Sequence, residues 1–340
     1  MIRIFYLSQI FRFYWLYKIN IYNVVIFNYF LKVTMILDMH FHSNKSDWFS
    51  TEEELLEEAS VMWMNFLALT DHDNVSDEFA VKARKEFNLL SCPAVEISAR
   101  NLFYNKSLHL TLYAKQIGWK VKSILQNTKT QKILMIKGQI ELLNSKWFEI
   151  DYKEFCRVTC SWNRKIENLN KMDIVKFICL NERNKQHAIS INWWDLTIVD
   201  FYKKYLKRSW DSYWEYWYEV DEYEPSIEVC NSMKKTNNWI LSIAHSNSTF
   251  KDIAEFEKVL PHYLEVWWIN ALEINSNATK DWVIAILEAQ NMYWLYLTFW
   301  SDNHMVWTQD FLHWDLGTKN RFITEEQVRK NFNSYSDKLI

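Results

Sequence analysis

Glycine is almost missing from this chain, with 3 residues in 340 against 19 tryptophans, whereas glycine averages about 7% of ordinary proteins. Proline is equally scarce at 3. Left-handed backbone, tight turns and close chain crossings can be served by other residues only at a steric cost. The shortage therefore excludes an ordinary turn-rich fold, unless another letter stands at the glycine sites. Several tryptophans occupy such contexts: Trp48 follows Ser46 and Asp47, Trp63 ends a helical run before a strand, Trp267 and Trp268 precede the strand Ile269–Glu273, and Trp300 precedes Ser301 and Asp302. We read these as glycine positions, encoded by UGA, that the written sequence renders as tryptophan.

Other absences narrow the class. The five cysteines, Cys92, Cys156, Cys160, Cys179 and Cys230, are odd in number and lack paired CxxC spacing, which argues against a disulfide framework or a zinc knuckle and for a reducing, cytoplasmic compartment. A formal net charge of -3 supplies no long-range pull toward nucleic acid. A polyanionic partner must then be captured locally, which favours a small phosphorylated substrate over long duplex nucleic acid. Residues 1–34 are rich in Ile, Phe, Tyr and Asn, but Asn20, Asn23, Asn28 and Lys32 interrupt every candidate window for the roughly 20 apolar residues a membrane span needs. Phe30–Val33 offers no small-residue cleavage site. We read this stretch as an upstream extension, with Met35 opening the working protein.

What is present is a β-α rhythm. A hydrophobic content of 49% supports one large core, or one core carrying a smaller inserted lobe. A short apolar strand follows Met35. Thr51 and the acids after it suit a helix N-terminus. Phe66–Thr70 is a second strand, residues 77–88 a helix, and Ala94–Ser98 a third strand, which together imply a parallel α/β sheet or barrel. Near 115 the pattern becomes long Lys-, Asn- and Glu-rich helical stretches. Strand signals return at Trp239–His245, 269–274 and 293–299. The expected organisation is an extension (1–34), a first barrel part (35–115), a helical insertion (116–210), a second barrel part (211–310) and a tail (311–340).

The chemistry gathers at strand ends. In Asp38-Met39-His40-Phe41-His42, residues two apart share one strand face, so two imidazoles converge, with Asp47 close behind. Thr70-Asp71-His72-Asp73 follows the second strand, where a parallel barrel places its active end. Glu96 lies within an apolar strand, and an ionised carboxylate there is costly unless it is paired or bound to metal. His109 and His245, each after apolar residues, read singly as ordinary core histidines needing partners for both ring nitrogens. Ser301-Asp302-Asn303-His304 adds another strand-end Asp and His. Together they point to a polynuclear metal site, and imidazole with carboxylate suits Zn, Mn or Fe.

In order and approximate spacing, the series Asp38-x-His40-x-His42, Asp47, Thr70-Asp71-His72-Asp73, Glu96, His109, Ala244-His245 and Ser301-Asp302-x-His304 resembles the PHP (polymerase and histidinol phosphatase) family over about residues 35–310. The resemblance implies a distorted (β/α)7 barrel with an inserted helical lobe, and two or three divalent metals held by His40, His42, Asp47, His72, Glu96, His109, His245, Asp302 and His304. It also implies glycine where Trp48, Trp63 and Trp300 stand. Asp38, and Asp71 or Asp73, are expected to accept imidazole N–H groups and fix the ring tautomers. The segment Asn184–Ala188 resembles the substrate-binding stretch of the branch that dephosphorylates nucleoside 3',5'-bisphosphates and trims short oligonucleotides, with His187 retained and Lys185 in place of an arginine. A histidinol-phosphate phosphatase, a polymerase-associated module and a non-catalytic metal-binding protein are the rival expectations.

Overall fold

The structure is a computed structural model and describes residues 35–46, 50–104, 106–161, 165–192, 198–206, 214–218, 220, 224–225, 239–267, 269–300 and 320–340. Two sheets carry the strands. The first is wholly parallel and runs β1 (Leu37–Phe41), β2 (Phe66–Leu69) and β3 (Leu90–Ser91). The second runs β4 (Ala94–Asn101), β5 (Lys106–Ala114), β6 (Trp239–Ile243), β7 (Ala271–Asn275) and β8 (Tyr296–Trp300). β1 lies against β8. At the other side a parallel bridge between His72 and Glu96 links the sheets, flanked by the Asp73 N–H donating to the Glu96 carbonyl at 2.7 Å.

Helices connect the parallel strands. α1 (Glu52–Val61) opens on a capping box, with the Thr51 hydroxyl accepting the Glu54 N–H while the Glu54 carboxylate accepts the Thr51 N–H, an arrangement that satisfies two orphan donors at once. α2 (Asp77–Glu86) is capped by Ser76. Both turn apolar faces inward, with Leu55, Leu56, Ala59, Phe79 and Ala83 all buried. The strands are buried along nearly their whole length, which is why they read as continuous apolar runs rather than as alternating ones.

One expectation needs correction. β5 is a full strand, and it pairs antiparallel with both β4 and β6, so the sheet is not uniformly parallel. The reason is the connection: only residues 102–105 separate β4 from β5, far fewer than a parallel crossover requires.

After β5 the chain leaves the sheets along α3 (Trp119–Ser145), followed by α4 (Tyr152–Ser161), α5 (Lys171–Leu180), α6 (Glu182–Asn192) and the short α7 (Ile198–Phe201). This helical stretch has its own core, in which Met135, Ile136, Ile140 and Leu143 of α3 pack with Phe155, Ile174, Phe177, Ile178, Phe201 and Tyr205. Gly138 permits the closest approach, because a Cβ there would fall 2.1 Å from the Tyr218 ring. α8 (Ser246–Thr249), α9 (Ile253–Trp267) and α10 (Lys280–Tyr293) link the remaining strands, and α11 (Glu325–Leu339) packs back on the sheets. Among the described residues no helix is long and apolar enough to cross a membrane.

Three helix ends speak to the glycine shortage. Trp63, Trp147 and Trp294 follow α1, α3 and α10 with φ of 57°, 73° and 59°. Met64 N–H donates to the Ala59 carbonyl at 3.1 Å, Phe148 N–H to Leu143 at 3.2 Å and Leu295 N–H to Gln290 at 3.1 Å. This six-to-one bond around a left-handed residue is the Schellman cap, whose left-handed position is normally glycine. An L side chain pays about 1–2 kcal/mol for that conformation. Burial offsets little of it here, since the three indoles are 53%, 85% and 89% exposed. Trp267 closes α9 and Trp300 ends β8, while Trp48 and Trp268 lie outside the described residues.

Candidate metal centre

Five imidazoles form a closed circuit around one carboxylate. Ring centroids run His40 to His42 at 5.2 Å, His42 to His72 at 4.5 Å, His72 to His109 at 4.9 Å, His109 to His245 at 5.0 Å and His245 back to His40 at 6.1 Å. Glu96 sits at the centre. Its Oε2 lies 3.2 Å from His40 Nε2, 3.3 Å from His42 Nε2 and 2.8 Å from His72 Nδ1. Its Oε1 lies 2.9 Å from His109 Nδ1 and 3.1 Å from His245 Nε2.

Each ring is placed by its local structure. His40 is on β1 and His42 is one residue beyond it, so the period-two geometry of a strand sends both to the same face. His72 lies three residues past the end of β2. Glu96 is on β4, and the antiparallel register sets His109 of β5 opposite Ser98, the next residue on the Glu96 face. His245 follows β6 in a left-handed turn with φ 34°. That turn is held by the His245 N–H donating to Glu273 Oε1 at 2.6 Å and by Ser248 N–H donating to the His245 carbonyl at 2.9 Å.

The supporting carboxylates divide the work differently from the sequence expectation. Glu273 of β7, which sequence reasoning did not single out, accepts from His40 Nδ1 at 2.8 Å and orients the ring. Asp71 spends its oxygens on Ser43, through the N–H at 2.6 Å and the hydroxyl at 2.6 Å, and on the Ser46 hydroxyl at 2.8 Å. Among the described residues it reaches an imidazole through Ser46, whose Oγ stands 3.3 Å from His42 Nδ1. Asp73 clamps the Ser98 N–H and hydroxyl, both at 2.9 Å, and so fixes β4 rather than a ring. Asp38 Oδ1 accepts the His40 backbone N–H at 3.1 Å. The shift has a simple cause: Asp71 and Asp73 lie in a turn beside serines that offer both backbone and hydroxyl donors. The clue to Glu273 was the one that marked Glu96, a carboxylate inside an apolar strand.

Electrostatics favour positive charge at the centre. Burial pushes the His40 imidazole pKa down, but the Glu96 and Glu273 carboxylates outweigh it and raise the value to about 10. Burial pushes the Glu96 carboxyl up, and His72, His40 and His109 override it to hold the pKa well below the usual range. Burial also raises Asp71 to about 6, against the Ser43 and Ser46 hydrogen bonds. His245 is lowered by burial.

The donor set fits a divalent metal. Glu96 Oε2 is sealed from solvent and satisfies no hydrogen bond, although three imidazole nitrogens crowd it. Such packing without hydrogen-bond geometry is costly for a buried carboxylate and is relieved by a shared cation. Two triads, His40 with His42 and Glu96, and His72 with Glu96 and His109, each keep their donor atoms within 4.8 Å of one another. Neutral imidazole plus carboxylate is the chemistry of Zn, Mn or Fe sites. Asp47, Asp302 and His304, expected to be further ligands, lie outside the described residues.

Lys185 and His187 are placed elsewhere. Both are on α6, where His187 Nε2 meets the Lys146 carbonyl at 2.8 Å and its ring packs edge-on against Phe148 at 4.8 Å. That is the outer end of α3. Lys129, on the inner part of α3, donates to Asn74 Oδ1 at 2.5 Å, two residues beyond His72. The 16 helical steps from Lys129 to Ser145 span about 24 Å of helix.

Comparison with protein-family models found no match, and comparison with curated proteins found none either. Solved structures do match. A candidate metal-dependent phosphoesterase from Bifidobacterium adolescentis aligns with a TM-score of 0.62 at 18% identity, over 88% of this chain and 96% of that one. The chain shares its fold. An amidohydrolase from Chromobacterium violaceum, with bound sulfate and no metal, aligns with a TM-score of 0.60 at 17% identity, over 78% of this chain and 86% of that one. On that fold the five-histidine circuit is drawn from both sheets, with His40, His42 and His72 at the ends of the first and Glu96, His109 and His245 in the second.

Proposed function

We propose that the chain is a metal-dependent phosphoesterase of the PHP class, built on a barrel that β1 and β8 close, and that it hydrolyses phosphomonoesters of small nucleotides. The observation that carries this reading is the Glu96 carboxylate, buried and short of hydrogen bonds inside five imidazoles. A bound metal would supply an activated water and neutralise phosphoryl oxygens. His40, His42, His72, Glu96 and His109 would hold it, with His245 adjoining. The supporting residues give geometry. Glu273 fixes the tautomer of His40 so that Nε2 faces the centre, and the Asp71–Ser46 pair constrains His42. The gradient of exposure adds an entry direction: His40 and His42 are buried, whereas His109 is 33% exposed, so substrate reaches the cluster from the His72–His109–His245 side.

The test is phosphate release from adenosine 3',5'-bisphosphate by manganese-loaded protein, compared with the His40→Ala and His245→Ala variants. Turnover that falls at least a hundredfold in both folded variants supports the reading. Undiminished release in either removes it, as does failure of the parent protein on every phosphomonoester tried.

A further inference from the structure

The face of the second sheet that carries the histidines continues as a layer of hydroxyls. His109, Thr111 and Tyr113 alternate along β5 and so share one face. His109 meets Glu96. Thr111 stands opposite Glu96 on β4 and opposite Ser242 on β6. The Ser242 hydroxyl in turn lies 2.9 Å from that of Thr298, across β7, which sets the small Ala271 beside Ser242 and Glu273 beside Thr298. Thr111, Tyr113, Ser242 and Thr298 are all fully buried. Ser242 and Thr298 satisfy each other, whereas the Thr111 and Tyr113 hydroxyls have no hydrogen-bond partner among the described residues. Burial pushes the Tyr113 pKa well above its usual value, the Glu273 carboxylate adds to the rise, and the Thr111 hydroxyl, near but outside hydrogen-bond geometry, opposes it. The phenol therefore lies within the field of Glu273. Two stranded hydroxyls are costly in a core, and a buried water typically joins about three such groups. Glu273 also has capacity to spare: its oxygens take one N–H each, from His245 and from the His40 ring, while a carboxylate offers about four acceptor sites.

We propose that Thr111 and Tyr113 are positioning residues for the metal centre, their hydroxyls holding an ordered water against the Ser242–Thr298 pair in a polar floor that supports Glu273. Through Glu273 the floor orients His40. The inference rests on the metal reading of the centre and not on the phosphoesterase one. It also accounts for a polar layer in a place where valine and phenylalanine have the same shape as the residues present.

The experiment uses the full chain and the variants Tyr113→Phe, Thr111→Val, Thr111→Ser and Tyr113→Phe combined with Glu273→Gln. Melting of chelator-treated protein and cobalt affinity, with the visible spectrum of the cobalt form, are measured for each. Removing a hydroxyl that is merely stranded relieves a penalty and raises Tm, whereas removing one that holds a water strands the partners left behind and lowers it. Tyr113→Phe and Thr111→Val should each lower Tm by about 2–4 °C. Each should also weaken cobalt binding about threefold, less than the loss of a direct ligand support, and alter the spectrum. Thr111→Ser, which keeps the hydroxyl, should bind cobalt within about twofold of the parent, and adding Tyr113→Phe to Glu273→Gln should cost no further affinity, since both act through one carboxylate. The proposal is overturned if Tyr113→Phe or Thr111→Val raises Tm with cobalt binding unchanged, if serine fares no better than valine, or if the Tyr113→Phe loss persists in full beside Glu273→Gln. Melting of the parent that responds to potassium against sodium at constant ionic strength would put a cation where the water is assigned, and overturns it too. A parent that binds no cobalt removes the metal reading, and the signs of the Tm shifts then decide the floor by themselves. A parent that binds cobalt and releases no phosphate leaves the floor standing and removes the phosphoesterase reading.

Discussion

Glu273 and His40 face each other at 2.8 Å, both fully sealed from solvent at their side chains. The same carboxylate takes the His245 N–H on its other oxygen, so two members of the cluster are aligned by one residue of β7. An ionised carboxylate accepts from two donors, whereas an amide of the same shape accepts on one side only. Glu273→Gln should therefore keep the fold and lose metal affinity by about 10- to 100-fold, the usual cost of removing such a support. Metal content after dialysis, read with the visible spectrum of the cobalt-substituted protein, decides it. Full occupancy with an unchanged spectrum would show that Glu273 does not position the site.

The left-handed tryptophans give a second expectation. Replacing Trp63, Trp147 or Trp294 by glycine should raise stability by about 1 kcal/mol each, against the ordinary tendency of glycine to destabilise. Denaturant melts measure the gain. Tryptic mass spectrometry of the protein from its native host should find glycine at these three positions, and tryptophan recovered there would end the recoding idea.

Metal removal should be visible without any assay of turnover. A ligand bound only by the folded state, at about 100 times its Kd, adds about 2.7 kcal/mol. Chelation should lower Tm, and Mn or Zn should restore it. A His40→Ala protein should show a much smaller response, and an equal response would place the binding elsewhere.

A pH effect is expected at α1, remote from the chemistry. Burial raises the Glu58 carboxyl pKa from 4.5 to about 7, so the folded state prefers the protonated form. The associated stability is present in full below 4.5 and is lost as pH rises through about 7. Glu58→Gln should match the parent near pH 4 and exceed it at pH 8.5 by about 1 kcal/mol, the full effect being reduced because the group is only partly buried. Melting curves at the two pH values suffice, and a difference independent of pH would contradict the assignment.

The sequence reveals much of this arrangement because strand-end chemistry leaves a local mark. His40 and His42 are separated by one residue, His72 follows an apolar run, and Glu96 interrupts one. Other parts depend on distant pairing that no short window contains. β5 looked like an isolated apolar run because its partners, β4 and β6, lie on either side of it and are separated from each other by more than a hundred residues. Glu273 carried the same mark as Glu96, a carboxylate within an apolar run, but its partner appears only when the fold brings β7 to His40 of β1. The Asp71 and Asp73 assignments shifted because nearby serines outcompeted imidazoles for their oxygens.

Tyr335 of α11 donates its hydroxyl to the Leu297 carbonyl on β8 at 2.8 Å and lies 3.1 Å from the Met39 sulfur on β1, while Phe332 packs against Phe66 of β2 at 4.8 Å. One helix thus fastens strands from both halves of the cluster, yet it leaves the ribosome after every one of them. A nascent chain stalled before α11 would present Met39, Phe66 and Leu297 as bare apolar surface, a target for chaperones rather than a closed core.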